Sequence, residues 1–432
     1  MTSRATTRAG GLLLILVAAC GTSNSEPPTV AIRDAGGSTV FDARSSDAIA
    51  DLGVPLPRTE RADAAMGSIA ARILDYARTA QTQPSFLEMI VPMYLVHAQV
   101  TGRVDDYVGA DLASEAWVAQ GPSTPDPHRL RARVLTTLHR FDKAAAELDT
   151  AVKLGASPAE VADQRTALAA ARGVSPEAFA RAERVARDAP GMVSIADYAI
   201  ALAERDQLDR ALALMPTGLR DVRDPSVIPV AWFLFQWARL AEDHGDRVKA
   251  RALYAETYRR LPRYGEAGRH LAAMMIEADD LDGARAILTS LAAADPHPET
   301  TAMLADCAIR AHDPNAQALV AEASAGWERY LARYPAAFSD HAARFYLGVG
   351  ADPERAYALA TANRANRATA EAMALLVEAA LATHRNAEAC AAADQIVAIG
   401  PAPRRFRFAA WKAYQACGRS DDATALGRAL GI

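Results

Sequence analysis

The sequence predicts an all-α solenoid, and three observations carry that prediction. Strand-type alternation of Val, Ile and Thr is nearly absent after residue 60. Apolar residues recur at helical spacing in blocks of 12 to 18, separated by Gly, Pro and Asp. One alanine per helix pair then falls into register, at Ala110, Ala144, Ala182, Ala211, Ala250, Ala284, Ala318, Ala356, Ala389 and Ala423, with spacings of 34, 38, 29, 39, 34, 34, 38, 33 and 34. A near-constant period of this length marks stacked units, each too small to bury its apolar face alone.

Taken in chain order, the first element is a leader. Arg4 and Arg8 precede an apolar run from Leu12 to Ala19, and Cys20 follows. That run is roughly half the ~20 residues that cross a bilayer, so residues 1–19 read as a secretory signal peptide. Val17-Ala18-Ala19-Cys20 resembles the bacterial lipobox, in which the cysteine is acylated and becomes the new N-terminus. The resemblance implies a bacterial cell-envelope lipoprotein held in the membrane by acyl chains on Cys20. Gly21, rather than Asp, after that cysteine implies the outer membrane. Each buried methylene of an acyl chain adds about 0.8 kcal/mol, so two or three chains anchor stably where one does not. Residues 20–59, rich in Ser, Pro, Gly, Asp and Thr, read as the lipidated cysteine and a flexible tether. The solenoid then spans 60–432, with a leading helix near 60–80.

Within the solenoid, the best-patterned stretch is 231–298. Ala238, Gly245, Ala250, Tyr254 and Pro262 are followed 34 residues later by Ala272, Asp279, Ala284, Leu288 and Pro296. These residues resemble the tetratricopeptide repeat, a pair of helices repeated into a right-handed superhelix. Alanine fits where the two helices of a pair approach most closely, Gly or Asp makes the turn between them, and Pro ends the second helix. The repeat around Ala182 is degenerate, with the break Gly173-Val174-Ser175-Pro176 and a short helix ending before Pro190. After Pro314 a helix runs through Trp327 to Tyr334, about five residues beyond the usual length.

The resemblance also implies a site. Its register places Trp232, Phe235, Arg239, Glu242, Glu266, Arg269 and Arg310 on the concave face that holds a protein or peptide partner. Arg129, Arg133, Asp243, Ile276, Glu277, Met303, Cys307, Arg405, Phe408 and Lys412 fall there too. Trp232 and Phe235 alternatively pack as core against the degenerate repeat. The asparagines that clamp a C-terminal carboxylate in part of that family are absent, so chaperone-tail binding is not supported. By the same register Cys390 and Cys417 lie at similar height on neighbouring helices, either as a disulfide or as buried thiols in an alanine-rich core.

Other chemistry finds little footing. No phosphate-cradling glycine loop, HExxH, CxxC or GxSxG occurs in the chain. The nine histidines are scattered singly, so no metal or other cofactor is expected, and His139 and His384 stand where the repeat has glycine. Without residues 1–19 the chain carries 45 basic and 52 acidic side chains with no long run of either sign, which argues against nucleic acid. The reading is therefore a lipid-anchored envelope scaffold rather than an enzyme, with a receptor for an extended peptide or cell-wall fragment as the alternative.

Overall fold

The structure, a computed structural model, describes residues 43–432 apart from 174, 221 and 223–225. Cys20, the leader and most of the tether lie outside the described residues. Among those described, 22 α-helices and one short 3-10 helix account for the regular structure, and no strand forms. Two helices lead, α1 (Ala43–Ala50) and α2 (Ala62–Ala80). Five pairs follow: α3 (Phe86–Thr101) with α4 (Val104–Gln120), α5 (Pro125–Thr137) with α6 (Phe141–Lys153), α7 (Pro158–Arg172) with α8 (Pro176–Asp188), α9 (Met192–Ala203) with α10 (Leu208–Leu214), and α11 (Val227–His244) with α12 (Arg247–Arg260). Five more complete the solenoid: α13 (Gly265–Glu277) with α14 (Leu281–Ala294), α15 (Pro298–Arg310) with α16 (Ala316–Arg333), α17 (Pro335–Leu347) with α18 (Pro353–Asn366), α19 (Ala370–Ala382) with α20 (Asn386–Ala398), and α21 (Arg404–Ala416) with α22 (Ser420–Leu430).

The turns inside the pairs share one device. Nine of the ten hold a residue in the left-handed region: Gly102, His139, Asp206, Gly245, Asp279, His312, Ala351, His384 and Gly418. That conformation lets the next amide reach back to a carbonyl left open by the end of the first helix. Arg140 N donates to Leu135 O at 2.8 Å, Asp280 N to Met275 O at 2.9 Å, and Arg385 N to Ala380 O at 2.7 Å. His139 and His384 thus serve as turn residues. Several second helices are then capped at once, as where Asp246 accepts from Lys249 N and Asp280 from Gly283 N.

The alanine register holds at most positions and slips at one. Ala110, Ala144, Ala211, Ala250, Ala284, Ala356 and Ala389 are fully buried at the crossings within their pairs. Ala318 is exposed, contrary to its expected place, and Ala323 is the residue buried at that crossing. The five extra residues of α16 lie at its start, so they shift the contact one and a half turns along the helix.

The expected tether is also shorter than the composition indicated. Leu52 is buried in the main apolar cluster, Ile49, Val54 and Leu56 pack against that cluster, and α1 lies on α12. Arg260 Nη1 donates to Pro57 O at 2.7 Å. Residues 43–59 therefore belong to the folded body. Their apolar residues are too few to display a helical period, yet they suffice to cover one face of α12.

The same arginine contact belongs to a pattern that runs along the whole chain. Tyr334 Oη donates to Asp111 Oδ2 at 3.1 Å, His139 Nδ1 to Ala336 O at 3.1 Å, and Asn366 Nδ2 to His139 O at 3.1 Å. Arg407 pairs with Asp206, and Arg103 and Arg263 share Asp295. The hydrogen-bonded partners stand 203, 223, 197, 227 and 201 residues apart for Pro57, Asp111, the two His139 contacts and Asp206. Such separations amount to about six repeats of roughly 34 residues. Successive turns of the superhelix touch, and the solenoid is a closed coil.

Candidate functional site

Closure changes what a concave face can be. The groups expected there divide into those that the coil uses for packing and those that it leaves facing its interior. Phe235 is 1 % exposed, and its ring meets Tyr254 at 5.8 Å, Tyr264 at 5.1 Å and His270 at 5.5 Å between centroids. It belongs to the core between α11, α12 and α13, so its expected role as a groove aromatic is corrected. Helix α11 is apolar on nearly every side because α2, α9, α10 and α12 all pack on it. Trp232 is partly buried against the same cluster, and Ile276 and Cys307 are buried. Burial pushes the Cys307 thiol up from its ordinary value.

Arg269 borders the same region with its side chain mostly covered. Its side chain is 8 % exposed, and Nε lies 3.1 Å from Glu299 Oε2. Glu242 is partly held by its own repeat and the next, accepting from Tyr254 Oη at 2.6 Å and lying 3.2 Å from His270 Nδ1 of α13. Burial works to raise the Glu242 carboxyl, and the bonds from His270 and Tyr254 bring it below the ordinary range. Arg310 stands apart at the end of α15, exposed and paired with Asp306 at 3.0 Å.

Arg239 and Glu266 remain, both accessible to water. Burial lowers the Arg239 guanidinium, and the surrounding groups Glu266, Tyr254, Asp243 and Glu371 more than reverse that. Those partners come from α11, α12, α13 and α19. Glu204, at the end of α9, is accessible too. The protein packed about it raises its carboxyl, as does Glu371, against the opposing pull of Arg405, Arg239 and Arg367. Arg239, Glu204 and Glu266 make no ion pair with another described residue.

A second group continues the ring. Glu299 and His341 keep 37 % and 46 % of their side chains open to water, and they lie 3.9 Å apart. Burial raises Glu299, but Arg269, His341, His297 and His270 hold it at about 2. His341 is lowered by burial and raised further by Asp340, Glu299 and Glu266, ending above the histidine range. Arg367 is bound to Asp340 at 2.6 Å, and Arg344 to Glu371 at 3.1 Å. These charges stay open to water and act on one another across α9, α11, α13, α15, α17 and α19.

The structure therefore brings together Arg239, Glu266 and Arg269 of the expected residues, and adds Glu204, Glu299, His341 and Glu371. Glu266, Glu299 and Glu371 each occupy the second position of a first helix, in α13, α15 and α19. An acid there also complements the helix dipole, which masks its inward placement from a reading of the sequence. Near the C-terminus, Phe408 stacks on Trp411 at 5.2 Å under Lys412. Cys390 and Cys417 come into disulfide contact, with Cα atoms 6.7 Å apart. No group of three or more His, Cys, Asp or Glu among the described residues is arranged for a metal, and no described helix is long and apolar enough to cross a membrane.

No protein-family model matches the chain, and no curated protein does. Several solved structures are similar to it. The P58(IPK) TPR domain is 14 % identical, with 83 % of this chain and 96 % of that one covered and a TM-score of 0.26. Yeast Tom70 is 12 % identical over 84 % and 91 % of the two chains, with a TM-score of 0.34. The APC/C hetero-tetramer Cut9-Hcn1 is 13 % identical over 85 % and 80 %, with a TM-score of 0.35. These values carry no functional argument, and the fold assignment rests on this chain's own paired helices.

Proposed function

We propose that the protein is a lipid-anchored scaffold of the bacterial cell envelope that holds an extended segment of a partner protein along its enclosed inner face. Acyl chains on Cys20 are the proposed anchor, and the outer membrane is the proposed location. The observation that supports binding is the ring around Arg239, Glu204 and Glu266, three water-accessible charges without an ion-pair partner among the described residues. Accessible charges of both signs pair with a ligand that brings the complementary charges in register. An extended polypeptide fits an enclosed interior, whereas a folded domain requires an open one. That consideration favours a peptide segment over a docked globular surface, and over a cell-wall glycan, which offers fewer groups to pair with carboxylates.

The test is a photo-crosslinking residue at position 239 in the native envelope, with another at exposed Val248 as the control. The expected result is capture of an envelope protein from 239 alone. In the Glu266→Ala variant, loss of a central interface charge weakens that capture by about 2 kcal/mol, roughly 30-fold in affinity. Equal capture at both positions, or undiminished capture by a folded variant, contradicts the proposal. The anchor is tested by fractionation: Cys20→Ala moves the protein from the membrane to the soluble fraction, and retention of the variant on the membrane contradicts it.

A further inference from the structure

The seam between successive turns is built from two chemically different halves. On one side, Val91, Leu95 and Val134 of α3 and α5 share a single apolar cluster with Trp327, Tyr330 and Phe338 of α16 and α17. The buried network around Asp111 reinforces that cluster, with Arg131 Nη1 donating to Oδ1 at 2.5 Å and Tyr334 donating to Oδ2. On the other side, α7–α10 meet α19–α22 without any apolar cluster spanning them among the described residues. The contacts there are polar. Ala368 N donates to Arg172 O at 2.7 Å, Arg407 pairs with Asp206, and Arg405 pairs with Asp243 of α11. The backbones at the first contact approach so closely that a Cβ on Gly173 would lie 3.2 Å from Ala368 O.

We infer that the polar half is a latch: α19–α22 swing away from α7–α11 to open the inner face, while α3–α5 stay joined to α15–α18, whose last residue Asn366 is hydrogen-bonded to His139. The inference rests on the proposed binding role, since it identifies how a ligand reaches that interior. Its physical basis is a difference in response. Burial of apolar surface is insensitive to moderate salt, whereas partly exposed ion pairs contribute little each and weaken as salt screens them. The four latch side chains are all partly exposed, between 20 % and 45 %. Arg405 also acts on Glu204, so the latch borders the unpaired charges of the interior.

The experiment is electron–electron distance measurement between spin labels on the full chain. One pair, Arg184→Cys with Asp421→Cys, reports across the polar half from α8 to α22, and both positions are exposed. The other, Glu88→Cys with Glu322→Cys, reports across the apolar half from α3 to α16, again from exposed sites. Salt is raised from about 0.1 M to about 1 M, which shortens the screening length from roughly 10 Å to about 3 Å. The expected result is a longer and broader distance across the polar half alone. Arg405→Ala with Arg407→Ala reproduces that change at the lower salt, with helicity retained. No change across the polar half, or equal changes across both halves, overturns the latch. No peptide takes part in this measurement, so failure to capture one tells against the binding role and leaves the latch to be judged separately.

Discussion

At the scale of the residue, the alanine register is the feature that sequence and structure share most closely, and its one slip is informative. A methyl group is all that fits where the two helices of a pair cross, so alanine recurs there and the pattern is legible. At α16 the spacing also admitted Ala318, because extra residues at a helix start leave the period intact while moving the contact. Phe235 takes the core alternative of its two expected places, and Arg269 is mostly covered at the site's edge, for a related reason. Register gives the direction of a side chain from its own helix, but the packing of α13 and α15 around it decides what covers it. Ala323→Leu is expected to destabilise the protein by about 1–3 kcal/mol, since three carbons must enter a filled crossing. Ala318→Leu, on the exposed side, stays within about 0.5 kcal/mol of the parent. Denaturant melts of the two variants check this, and equal midpoints would restore the unshifted register.

At the scale of the element, boundaries were legible wherever local chemistry makes them. Gly245 and Asp279 announce their turns, Pro190 follows the end of α8, and Pro176 and Pro298 open helices where their missing amide hydrogen costs nothing. His139, His312, Ala351 and His384 hold the same left-handed turn without an equally clear residue type, and only spacing points to them. Helix α1 was missed because eight residues give too short a period to read, and its stability comes from α12 rather than from itself. In the last two pairs, Cys390 on α20 and Cys417 at the end of α21 tie neighbouring helices across a separation of 27 residues. The prediction is that both resist alkylation in the unreduced, denatured protein, while Cys307 reacts. Reduction should then lower the stability of the C-terminal repeats by about 2–4 kcal/mol, seen as earlier exchange of their amide hydrogens. Free reaction of all three thiols before reduction would remove the crosslink from the account.

At the scale of the whole molecule, the helical-repeat architecture was legible and the closure was not. Contacts such as Asp111 with Tyr334, or the Arg172 carbonyl with Ala368, join residues about 200 positions apart and follow no recurring residue type. Superhelical pitch sums small rotations from every pair, so a five-residue lengthening in α16 or a shortened α10 alters where the next turn arrives without changing any local pattern. Closure in turn brings Arg239, Glu204 and Glu266 near charges of α19 and α21, and the proposed binding of an extended segment rests on that arrangement. The most direct test is small-angle X-ray scattering on the chain beginning at residue 43. A coil with touching turns gives a single-peaked distance distribution and a radius of gyration near that of a compact chain of this length, about 21 Å. An elongated distribution with a radius well above that value would contradict the closed coil, and with it the enclosed inner face.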